Sequence, residues 1–221
     1  MLLFVFSFSV FTTGQEKGVF VKKNGDEFKI TINGKPFFIK GMNWDFYPVG
    51  TNYTYSLWSQ PDRLIKAALD YEMQLLRNMG VNTIRQYSGV PAKWIQYIYE
   101  TYSIYTVLNH TFGRYGLTLK GNWEANTDYS NPLVRELLLK EVKELAIQYK
   151  ETPGVLMFLL GNENNYGLFW RGAETENIPL RDRQSTKDAY HLYKLFNDAA
   201  KEMKALDKNH PVAICNGDLL F

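Results

Sequence analysis

Val155-Leu156-Met157-Phe158-Leu159-Leu160 is an unbroken apolar run, and Gly161-Asn162-Glu163-Asn164-Asn165 directly behind it is polar. A short apolar run set off by Thr152-Pro153-Gly154 reads as a strand covered on both faces, as in a parallel sheet. Parallel α/β sheets bind ligands at the carboxyl ends of their strands. The polar segment therefore falls where chemistry is done. A carboxylate at the lip of a dry strand is partly desolvated, a setting that suits a general acid. Asn162 beside it offers a donor and an acceptor without charge. From position alone, Glu163 equally suits the cap of a following helix.

Strands and helices alternate on both sides of this run. Ser130 and Pro132 open a long helix with Val134, Leu137, Leu138, Val142, Leu145, Ala146 and Tyr149 at helical spacing. Before it come a strand at Tyr105–Asn109, a shorter helix at Pro91–Thr101 and a strand at Val81–Tyr87. Ser59, with Pro61 and Asp62, caps an earlier helix carrying Ile65, Ala68, Leu69, Leu76 and Met79, and Gly80 stops it. Downstream lie an amphipathic helix at Thr186–Leu206 and a buried strand at Val212–Cys215. Counted from an apolar strand at Phe37–Met42, this makes about five strand–helix steps, the last without its helix. The expected fold class is α/β, an incomplete (β/α)8 TIM barrel, because a closed one takes roughly 250 residues. An open doubly wound sheet, complete with five strands, is the alternative. Ahead of this, Asn24-Gly25 and Asn33-Gly34 mark turns between short strands. The expected organisation is residues 1–14 as a partial signal peptide, 15–36 as an N-terminal β-hairpin segment, and 37–221 as the N-terminal part of a barrel catalytic domain.

Leu2–Phe11 is too short for a bilayer span of about 20 residues. It suits the apolar centre of a secretory signal cleaved near Gly14, or a buried first strand. The signal reading implies a secreted or periplasmic protein. Lys plus Arg total 25 and Asp plus Glu 23, a net charge of +2, which excludes a strongly basic nucleic-acid binder and an acidic tail. Aromatics at 15% fit a carbohydrate-handling surface or a large aromatic core. Cys215 is the sole cysteine, and no histidine pair has the H-x-x-x-H spacing, so no metal ligands are expected. Phosphate-binding and serine-hydrolase motifs are absent, and no cofactor is implied. Asn52-Tyr53-Thr54 and Asn109-His110-Thr111 are formal glycosylation sequons.

The carboxyl-end rule selects Asn43, Trp44, Asp45 and Tyr47 after the first barrel strand and Arg85 and Tyr87 after the second. Asn109 and His110 follow the third, Asn162 to Asn165 the fourth, and Asn216 and Asp218 the fifth.

Gly161-Asn162-Glu163 after its apolar strand resembles the Asn-Glu signature of the retaining (β/α)8 glycoside hydrolases. Phe28 to Asn43, FKITINGKPFFIKGMN, resembles the entry to the catalytic barrel of the family-2 enzymes, the β-galactosidase and β-glucuronidase group. Met79-Gly80-Val81-Asn82-Thr83-Ile84-Arg85 is similar to that group's second strand, and also to fungal β-1,3-glucanosyltransferases. The group carries a His soon after this Arg, whereas Arg85 is followed by Gln86, Tyr87 and Ser88. The resemblance implies an oligosaccharide or polysaccharide substrate, with Glu163 as acid/base and Asn162 on the sugar 2-hydroxyl. It implies that Arg85 orients the active-site carboxylates. Asn43, Trp44, His110 and Tyr166 are further candidate sugar contacts, and Trp170 lies on the same loop as Tyr166. The group's nucleophile is a Glu on a seventh strand, beyond the strands counted here, so the resemblance implies a chain that is inactive alone. Transglycosylation, or carbohydrate binding without catalysis, are the alternative functions.

Overall fold

The structure is a computed structural model that describes residues 17–87, 89–169 and 178–217. The signal-like run, Ser88, Trp170 and Asp218 lie outside the described residues.

Three strands, β1 (Val19–Asn24), β2 (Glu27–Ile32) and β3 (Lys35–Phe37), form an antiparallel sheet in chain order. Five more, β4 (Gly41–Asn43), β5 (Thr83–Tyr87), β6 (Tyr105–His110), β9 (Val155–Leu160) and β10 (Val212–Ile214), form a parallel sheet. Its spatial order is β10-β9-β6-β5-β4. Each strand neighbours the next in sequence, so the sheet has no switch point of the kind a doubly wound fold requires. Four helices, α1 (Asp62–Asn78), α2 (Ala92–Tyr102), α3 (Pro132–Tyr149) and α4 (Gln184–Leu206), make the crossovers.

The expected strand at Phe37–Met42 is divided. Phe37 pairs with Ile30 in the antiparallel sheet, while Gly41 pairs with Thr83 in the parallel one. The apolar run serves two sheets, and Phe38–Lys40 bridges them. The N-terminal segment is thus a three-stranded meander, with one turn between β1 and β2 and another between β2 and β3. Two helix starts also move. α1 begins behind Pro61, with Ser59 in the preceding single turn. Asn131, not Ser130, caps α3 by accepting from the Leu133 N–H at 2.9 Å. A small hairpin absent from the sequence reading, β7 (Leu117–Leu119) with β8 (Asn122–Glu124), lies between β6 and α3.

The sheet buries its two faces differently. On the helix side Ile84, Leu108, Phe158 and Leu160 join Leu69, Ile95, Leu138 and Leu192 in one cluster. Each fully buried apolar side chain there contributes about 2 kcal/mol. On the opposite face Val107, Leu156 and Met157 pack with Val19 of the antiparallel sheet. A bulge allows this: Thr106 pairs with Val155 but Val107 with Met157, so Leu156 is the extra residue. It turns inward beside Met157, and Phe158 and Leu160 then face the helices. That phase delivers Gly161-Asn162-Glu163 to the carboxyl end of the sheet.

Candidate active site

At that end the inner side chains of successive strands meet. Asn43 and Arg85 are register partners, as are Tyr87 and Asn109. The Arg85 guanidinium donates through Nε to Asn109 Oδ1 at 2.8 Å, and through Nη2 to the same oxygen and to Asn162 Oδ1, the latter at 2.7 Å. Asn109 is fully buried and its Nδ2 donates to the carbonyls of Leu159 at 3.0 Å and Gly161 at 2.8 Å. One amide therefore ties the second, third and fourth sheet strands together. Among the described residues no carboxylate pairs with Arg85, whose partners are the two amides. The second sequon is occupied by this network, because its Asn109 has no exposed surface.

Asn162 is held at both ends. Its Nδ2 donates to the Tyr115 hydroxyl at 2.6 Å, and its own N–H donates to Asn164 Oδ1 at 2.7 Å. The Tyr115 hydroxyl also meets that of Tyr87, whose ring lies 5.6 Å from the Arg85 guanidinium. Burial first, then the Tyr115 hydroxyl, raise the Tyr87 phenol above its ordinary range, so it is a protonated donor at neutral pH. Asn164 is buried and secures the loop from below: its Nδ2 donates to the Phe112 carbonyl at 2.9 Å and to the Tyr129 hydroxyl at 2.8 Å. Gly161 has φ +79, and a β-carbon there would lie 2.7 Å from Asn164 Oδ1. The chain can turn sharply out of β9 only with glycine at this point.

Glu163 follows this turn with φ +59, a left-handed conformation uncommon for its type. Its N–H donates to the Cys215 carbonyl at 2.9 Å, which fastens the loop to the end of β10. The side chain is half-buried, and among the described residues none donates a hydrogen bond to its carboxylate. Tyr166 closes the same corner: its hydroxyl donates to the Gly217 carbonyl at 2.6 Å. Asn43 is exposed beside Arg85 at the rim of an inner groove of about 330 Å³, lined also by Met42, Val107 and Leu159.

Two candidates are drawn away from this cluster. Trp44 is only 7% exposed, packs in the helix-side core and gives its indole N–H to Glu72 of α1 at 3.3 Å. That burial leaves no ring face for a sugar. His110 turns to the helix side, where Nε2 lies 3.3 Å from Glu141 Oε2 on α3 and Nδ1 accepts from the Phe112 N–H at 3.2 Å. Both ring nitrogens are occupied by protein, so His110 supports the strand end instead of facing the groove. Nothing in the sequence marks Tyr115 as a site residue, and nothing there distinguishes Asn109 or Asn164 from other polar residues at strand ends. That position is the one signal available for the two asparagines. Among the described residues no group of three or more acidic, His or Cys side chains could hold a metal ion, and no helix is long and apolar enough to cross a membrane.

The chain thus forms a one-directional parallel sheet with helices on one face, and Arg85, Asn109, Asn162 and Glu163 lie at its carboxyl ends. No protein-family model matches the chain, and no curated protein does. Among solved structures, a β-glucuronidase of Bacteroides uniformis superposes with a TM-score of 0.60 at 14% identity, covering 89% of this chain and 20% of that one. A β-glucuronidase of Parabacteroides merdae gives 0.56 at 17% identity with the same coverages, 89% and 20%. A β-D-glucuronidase of Dictyoglomus thermophilum gives 0.50 at 20% identity, covering 90% of this chain and 29% of that one. At such identities the likeness is one of fold. This chain spans about a fifth of the length of the first two.

Proposed function

We propose that the chain carries the acid/base half of a retaining glycoside hydrolase site acting on β-linked carbohydrate. The observation that supports this best is the fixed pair Asn162-Glu163. The Asn162 amide is locked between Arg85 and Tyr115, and Glu163 stands next to it with a carboxylate left unbonded by the described residues. In this reading Glu163 protonates the leaving oxygen and later takes a proton from water. Asn162 holds the sugar 2-hydroxyl, and Arg85 keeps that amide in place. Retention needs a second carboxyl group about 5–5.5 Å away as nucleophile. In this reading it comes from outside the described strands, with residues 37–221 as five steps of an eight-step barrel. An exported setting, secreted or periplasmic, fits the apolar run at Leu2–Phe11.

The test is turnover of nitrophenyl β-glucoside, β-galactoside, β-mannoside and β-glucuronide by the full gene product. At least one is expected to be hydrolysed, with Glu163→Gln lowering kcat about 10²–10⁴-fold. The 221-residue chain alone, holding one of two carboxylates, is expected to turn over none. Full activity in Glu163→Gln would sink the assignment.

A further inference from the structure

We propose that the β7–β8 hairpin holds a sugar-stacking subsite, in which the Trp123 indole is the platform for one pyranose ring of an oligomeric substrate whose neighbouring unit reaches Asn162. This rests on the glycoside reading above and names the form of substrate, an oligosaccharide instead of a simple glycoside.

Trp123 is 63% exposed, yet its ring is seated. A β-carbon on Gly116 would lie 2.6 Å from Trp123 Cζ2 and 2.7 Å from the Glu124 carbonyl oxygen. Gly116 also has φ +93, so that position takes glycine on both grounds. The indole thus rests on bare backbone and keeps most of its surface in solvent. Tyr115, the residue before Gly116, is 56% exposed and accepts the Asn162 Nδ2 hydrogen at 2.6 Å. The backbone seat of the platform, Gly116, is therefore one residue along the chain from the tyrosine bonded to the candidate catalytic loop. The Arg114 guanidinium, 5.5 Å from the Tyr115 ring centroid, packs against that tyrosine.

The chemistry selects the ligand. A flat, uncharged indole face gains most from a flat apolar partner. A β-linked pyranose in its chair presents one, most fully in the gluco and xylo series, whose equatorial hydroxyls leave the C–H groups on the ring faces. Asn162 has Oδ1 on Arg85 and one Nδ2 hydrogen on Tyr115, which leaves its second N–H for a hydroxyl of the adjoining unit.

The full chain is titrated with β-linked gluco-, manno- and xylo-oligosaccharides of increasing length, followed by tryptophan emission and calorimetry. At least one series is expected to bind, more tightly as it lengthens. Trp123→Ala is expected to weaken that binding about tenfold or more with an unchanged thermal melt, and Trp123→Phe to retain part of it. No binding by any series, or wild-type affinity in Trp123→Ala, overturns the platform. Asn162→Ala separates the two readings. Affinity lost in Trp123→Ala but kept in Asn162→Ala leaves the platform and removes Asn162 from the sugar site. The converse removes the platform and leaves the Asn162 site.

Discussion

Glu163 occupies a backbone conformation that its side chain does nothing to favour. For an L-residue the left-handed region costs about 1–2 kcal/mol, and such strain persists where the surroundings over-determine it. Here three bonds do so: Glu163 N–H to Cys215, Asn162 N–H to Asn164, and Tyr166 N–H to the Glu163 carbonyl at 3.0 Å. Glycine would relax the backbone and remove the carboxylate. Glu163→Gly is therefore expected to be more stable than Glu163→Ala by about 1 kcal/mol in urea unfolding. Equal stabilities would show the turn to be unstrained. The Asn-Glu pair and Arg85 were legible in sequence because the switch from apolar to polar marks a strand end. The partners that hold them were not, because they lie far off along the chain: Arg85 is 77 residues from Asn162, and Tyr115 is 47 from it. Asn109 reads both as part of a sequon and as a polar residue at a strand end, and only its burial turns it into the central amide of the cluster.

Among the elements, those with many apolar positions were the easiest to read. α1 to α4 each repeat buried residues at helical spacing, as with Ile65, Leu69, Met73 and Leu76. β7 and β8 have three residues each and no periodicity to detect, and Phe37–Met42 hides a handover between two sheets because both ends are apolar. The turn from α4 into β10 was likewise invisible, although it docks the antiparallel sheet. The Asn209 carbonyl accepts the Val19 N–H at 2.7 Å. Buried Asp207 shapes this turn: Oδ1 accepts from the N–H groups of Asn209 at 2.8 Å and His210 at 3.2 Å, and Oδ2 lies 2.7 Å from His210 Nδ1. Burial pushes its carboxyl up, but the His210 ring and the two N–H groups outweigh that and hold it below its ordinary value. A depressed folded value means that this stabilisation is present above the unfolded carboxylate range near about 4 and is lost as pH falls through the folded value. The melting temperature is expected to drop on acidification below about pH 4. Asp207→Asn is expected to melt lower at neutral pH and to show a shallower acid decline. A variant with the wild-type slope would remove Asp207 from this role.

Among the described residues the antiparallel and parallel sheets share a small apolar contact, beside the bond from Val19 to Asn209. Val19 from the first sheet and Val107, Leu156 and Met157 from the second are buried together, with Ile30, Ile32 and Phe37 against them. Neither partner covers this face alone: without the meander the inner side of β6 and β9 would stand in water, and without the parallel sheet β1 to β3 would be an isolated ribbon of marginal stability. The two are therefore expected to unfold as one unit. Tryptophan reports this cleanly, because all five tryptophans, Trp44, Trp58, Trp94, Trp123 and Trp170, follow the meander in sequence. Val19→Asp places a charge at the buried contact and is expected to cost about 3 kcal/mol or more. In urea, tryptophan emission and far-ultraviolet circular dichroism should shift together to a lower midpoint. If the tryptophan transition stays at the wild-type midpoint while circular dichroism shows an earlier partial loss, the meander melts alone, and the parallel sheet holds its inner face by some other means.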